Sequence, residues 1–93
     1  MKTVDIRDVE IGKKYILTKV YSEECKNKNM RGKAERFEAT INWIEDRGSE
    51  YYFGYKPTIQ NPHTPGYVCA FGTFGIKKYG LHKCINMYIE EVE

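Results

Sequence analysis

Residues 36–45 alternate strictly between apolar and polar. Phe37, Ala39, Ile41 and Trp43 fall on one side, and Arg36, Glu38, Thr40 and Asn42 on the other. Successive side chains of a strand point to opposite faces, whereas a helix would spread these four apolar residues around its axis. The segment is predicted as a half-buried β-strand with Phe37, Ala39, Ile41 and Trp43 turned inward. Ile44 stands on the nominally polar side. It reads as a second packed layer, a dimer contact, a partner patch or simply an isolated exposed isoleucine.

The flanking segments repeat the strand signal. Residues 50–56 alternate Tyr51, Phe53 and Tyr55 against Tyr52, Gly54 and Lys56, and residues 46–49 (Asp-Arg-Gly-Ser) form a turn between the two runs. An antiparallel hairpin follows. Residues 13–21 (KKYILTKVY) are β-branched and aromatic, with Tyr15 and Leu17 on one face and Ile16 and Val20 on the other. An apolar residue on both faces suits a central strand. Residues 67–74 and 84–90 complete a count of five strands, with residues 75–83 left as a turn, a crossing or one short helix. Residues 1–12 are expected to end in a turn that delivers the chain into the first strand.

Two connections are unusual. Residues 22–33 (SEECKNKNMRGK) are a long polar loop carrying Lys26, Lys28, Arg31 and Lys33, and loops of this length in a small domain are commonly functional. Residues 57–66 hold all three prolines and read as a rigid surface loop.

Five short strands in a chain of 93 residues predict a single mostly β domain spanning 1–93: a small antiparallel barrel or strongly twisted sheet. The opening DVEIGKKYILT resembles the first strand of Src-homology-3-like barrels, with 22–33 as the long first loop and the central hairpin turning at 46–48. An OB-like barrel is the second candidate. A domain of this size buries only about 60–65% of its unfolded surface, so few large apolar residues remain to line a cofactor pocket. No cofactor is expected.

The three cysteines, Cys25, Cys69 and Cys84, are widely spaced. An odd count argues against a disulfide framework. With no signal-like opening and no apolar run of membrane-spanning length, the chain reads as cytoplasmic, with free thiols and no membrane partner. His63, Cys69, His82 and Cys84 are metal-capable side chains, but the His82-x-Cys84 spacing is too close for a zinc knuckle. The simpler reading is two surface histidines and two buried cysteines, with no metal. Cys25 between basic neighbours is a candidate reactive thiol. Gly72, Gly75 and Gly80 match no phosphate-binding motif and read as points where a small barrel bends. The acidic pairs 23–24 and 90–91 point to opposite faces on a strand and suggest no acid–base work. No catalytic constellation emerges, so an enzyme ranks third.

Net charge is +2, too low to imply nucleic acid from the total alone. The placement is more informative. Residues 19–36 hold six bases against three acids, and Lys77, Lys78 and Lys83 add three more bases with no acid between them. If these segments converge, Tyr52, Tyr55 and Tyr79, with Tyr21 and Tyr67, could flank a basic face. The candidate binding residues are thus Lys26, Lys28, Arg31, Lys33, Tyr52, Tyr55, Lys77, Lys78 and Tyr79. Tyrosine and arginine are enriched at protein interfaces, and aromatic-lined grooves of small barrels take peptides. Recognition of a protein partner is therefore the leading expectation. Single-stranded RNA or DNA, stacked on tyrosines, is the alternative. The Lys-, Asn- and Tyr-rich character resembles that of short phage or mobile-element accessory proteins. That resemblance implies an inhibitor occupying a host protein; the near-neutral charge speaks against a DNA mimic.

Overall fold

The computed structural model describes residues 2–26, 28–58 and 71–92. Six strands form one antiparallel sheet: β1 (Thr3–Val4), β2 (Lys14–Tyr21), β3 (Ala34–Asp46), β4 (Glu50–Pro57), β5 (Gly72–Lys77) and β6 (Ile85–Glu91). Their order is β1-β6-β2-β3-β4-β5. The sheet curls into a half-barrel. Four consecutive strands meander, and the last returns to pair with the first of them. That order gives the small, strongly twisted antiparallel sheet that the sequence predicts. Among the described residues no helix is long and apolar enough to cross a membrane.

The core lies on the concave side. Leu17 is fully buried and sits between Phe37 on β3 and Ile89 on β6. Tyr15, Ala39, Ile41, Phe53, Tyr55 and Met87 extend the cluster, and Ile6 plugs it from outside the sheet. The paired hydrogen bonds of the ladder satisfy the backbone groups that this burial removes from water. On β2 the division is as the sequence implies: Tyr15 and Leu17 are buried, Ile16 and Val20 half-buried on the other face.

Two corrections concern the count and the facing of residues. The five expected strands are joined by β1, only two residues long, and by a 3-10 turn at Ile6–Asp8. Asp5 caps that turn by accepting a hydrogen bond from the Arg7 backbone N–H at 2.9 Å. The second correction is larger. The β3–β4 register shifts between Ile41 and Trp43, so that Ile41 faces Tyr55 but Trp43 faces Gly54 and Ile44 faces Phe53. This β-bulge adds one residue to β3, and beyond it every side chain changes face. Trp43, expected in the core, is 40% exposed. Ile44, expected outside it, packs against the core.

The long loop 22–33 joins β2 to β3, as expected from its composition. The rest of the proline-rich loop 57–66 beyond Thr58, together with His63, Tyr67 and Cys69, lies outside the described residues.

Candidate cleft on the open side of the half-barrel

Among the described residues the sheet does not close. The one strand that pairs with β5 there is β4, yet the residues of β5 come close to those of β6 across the curled sheet. In an antiparallel ladder, alternate residues direct their N–H and C=O toward a given neighbour. The Lys78 N–H donates to Ser49 C=O at 3.1 Å, so the even residues of β5 face β4. Thr73, Gly75 and Lys77 consequently direct their backbone groups to the free edge.

That edge is partly covered by one side chain. His82 donates from Nε2 to the Gly75 carbonyl at 2.9 Å. A carbonyl can only accept, so the proton sits on Nε2. His82 is itself held by a reciprocal clamp: its N–H donates to Asn86 Oδ1, and Asn86 Nδ2 donates back to its C=O, both at 2.9 Å. Its ring meets Phe74 edge-on at 6.0 Å. His82 thus guards an unpaired strand edge, a recurrent need of open sheets.

Between β5 on one side and β1, the 3-10 turn and β6 on the other lies a cleft of about 570 Å³. Its apolar lining is continuous with the core through Phe74, Ile76, Met87 and Ile89. At its rim Tyr79 is 86% and Leu81 67% exposed. The rim cations are largely matched. Lys78 Nζ lies 2.7 Å from Asp46 Oδ1 and 4.6 Å from the centre of the Tyr51 ring. The Lys78 ammonium, with the Gly48 N–H, holds the Asp46 carboxyl below the usual carboxylate range. The same contact raises Lys78 above the ordinary lysine value. Arg7 grips Asp5 through Nε and a terminal nitrogen, both at 3.0 Å. Lys77 has no ion pair with a described residue and is exposed.

The structure distributes the sequence-derived candidates over four places. Lys77, Lys78 and Tyr79 line the cleft together. Tyr52 lies on the outer face, where its ring meets Trp43 at 5.8 Å, carries the Arg47 guanidinium at 4.0 Å and donates its hydroxyl to Thr73 at 2.8 Å. Tyr55 is 7% exposed in the core, against Phe37 and Phe53, and offers no stacking surface. Lys26, Lys28, Arg31 and Lys33 stay in the long loop, outside the cleft lining. Arg31 is used within that loop, donating from Nε to the Cys25 carbonyl at 2.6 Å. Sequence reasoning passed over Arg7, Tyr51, Leu81 and Asn86, which meet at the cleft only because strands distant in the chain close on each other.

The two basic segments do touch. Ser22 donates its N–H to Cys84 C=O at 2.8 Å and its hydroxyl to Lys83 C=O. The base of the long loop is therefore fixed to the end of the 77–83 segment. Cys25, the candidate reactive thiol of the long loop, is 4% exposed. Its thiol shares a hydrogen bond with Cys84, and that hydrogen bond raises the Cys84 thiol above its ordinary value. Among the described residues no three metal-capable side chains come together. Comparison of the chain with protein-family models, curated proteins and solved structures finds no match.

Proposed function

We propose that the protein is a non-catalytic module that binds a protein partner in the open side of its half-barrel. One observation carries the reading: a cleft with an apolar floor and a polar rim is left open between β5 and β6, with Tyr79 and Leu81 displayed at its rim. Large exposed apolar and aromatic side chains beside a preformed groove are what protein interfaces use as anchors. The charge state favours protein over nucleic acid at this site. Asp46 and Asp5 already pair with Lys78 and Arg7, which leaves Lys77 as the one exposed lysine of the lining without an ion pair among the described residues. A nucleic-acid backbone asks for several unpaired cations. The matching partner segment is apolar or aromatic, with an acidic residue opposite Lys77. Occupying a partner's surface in this way is also how a small accessory inhibitor of a host protein would act.

Single-stranded nucleic acid remains the second reading, favoured by the Ser22 contacts that make the loop lysines and Lys83 contiguous. Affinity capture from a cell lysate separates the two. The protein is compared with Tyr79→Ala/Leu81→Ser and with Lys26→Glu/Lys28→Glu/Lys33→Glu, at about 50 and 200 mM salt. The protein reading expects one partner lost only with the cleft variant and retained at both salts. A nuclease-sensitive ligand, lost with the loop variant and released by salt, would replace it with the second.

A further inference from the structure

The thiols of Cys25 and Cys84 meet although 58 residues separate them in the chain. Their approach is built by the backbone. Tyr21, the last residue of β2, faces Ile85, the first of β6. One step further, Ser22 binds the carbonyls of Lys83 and Cys84. A tight turn, closed by the Cys25 N–H donating to Ser22 C=O at 3.2 Å, then brings Cys25 back over Cys84. Arg31 fixes the Cys25 carbonyl from the far side of the loop. The backbone N–H of Lys26 also reaches the Cys84 sulfur. Cys25 is nearly inaccessible, whereas Cys84 is half-buried.

We infer that Cys25 and Cys84 form an oxidation site in which hydrogen peroxide converts the two thiols to a disulfide that staples the basic loop 22–33 to the start of β6. The Cys84 thiolate attacks one peroxide oxygen, the O–O bond breaks, and the departing hydroxide takes up a proton to leave as water. The Cys25 thiolate then attacks the sulfur of the resulting sulfenic acid, and the S–O bond breaks to release a second water. Two thiols lose two electrons and two protons in all, and one peroxide becomes two waters. The order follows from access: Cys84 meets the oxidant and buried Cys25 resolves it. Because the Cys25 contact raises the Cys84 thiol, the first step is slow at neutral pH and quickens as pH rises. Because the two thiols are already hydrogen-bonded neighbours, joining them asks only for their approach to disulfide bonding distance.

The test is a non-reducing peptide map of the unmodified chain before and after hydrogen peroxide, with mass spectrometry. The expected product is a monomer lighter by two hydrogens, with the peptides of Cys25 and Cys84 linked and Cys69 unlinked. Its thermal midpoint should lie above that of the reduced protein and return on addition of dithiothreitol. Free thiols at both positions after treatment, a sulfinic acid at Cys84 without a link, or linkage of either cysteine to Cys69 would overturn the assignment.

Discussion

Trp43 lies flat against Gly54, so close that a Cβ on the glycine would collide with the indole nitrogen. The bulge before Trp43 creates this contact by turning the indole out of the core and laying it over the one position of β4 with no side chain. Tyr52 and Arg47 continue the stack along the outer face. Gly54→Ala should therefore destabilise the protein by about 1–3 kcal/mol, the usual cost of overpacking a filled site. In a Trp43→Ala background the same substitution should cost close to nothing. A double-mutant cycle read by urea denaturation checks the coupling, and additive effects would remove the contact from the account.

The same register shift makes a prediction about Ile44. It faces Phe53 and packs against the core, so Ile44→Ala should lower stability by about 1–2 kcal/mol. That is less than the ~2–5 kcal/mol expected for fully buried Leu17→Ala, because Ile44 is only half-buried. A shift near zero for Ile44→Ala would mean that strict alternation continues to the end of β3.

The only tryptophan of the chain reports the facing directly. Acrylamide should quench Trp43 fluorescence in the native protein to a substantial fraction of its quenching in urea. A Trp43 shielded from quencher until the protein unfolds would place it in the core.

The Asp46–Lys78 pair ties the β3–β4 turn to the rim of the cleft, and its pH dependence has a definite sign. The folded Asp46 carboxyl titrates below its unfolded value of about 3.9. Its contribution is thus present above that pH and lost as pH falls through the lower folded value. Lys78 titrates above its unfolded value of about 10.4, so its contribution is intact below that pH and lost as pH rises through the higher folded value. The urea midpoint of Asp46→Asn should fall below that of the unaltered protein at neutral pH, and the two should converge in strong acid. A constant gap across the acid range would mean that neither the Lys78 nor the Gly48 contact draws on the Asp46 charge, and would contradict the account.

Much of the fold is legible in the sequence because burial on one face of a strand leaves a period of two. That pattern marks β2, β4 and β3 up to Ile41. It fails at Asn42, since an inserted residue in a bulge carries no signature of its own; the one trace was Ile44 standing on the wrong face. β1 is too short for any period, and Ile6 earns its burial only from the strands that surround it. The cleft was half-legible. Residues 77–79 are local and carried the charge and tyrosine signal, whereas Arg7, Leu81 and Asn86 join them through closure of β5 on β6 and β1. The pairing of Cys25 with Cys84 depends likewise on the β2–β6 register, which spans most of the chain.

The docking claim is tested most directly by site-specific photocrosslinking in a cell lysate, with p-benzoylphenylalanine replacing Tyr79, Tyr52 or Lys28 in turn. All three positions are away from the core, so each variant should fold. The account predicts a discrete protein adduct from position 79 and none from 52 or 28. Adducts from position 52 or 28 with position 79 silent, or a position 79 adduct destroyed by nuclease, would contradict it.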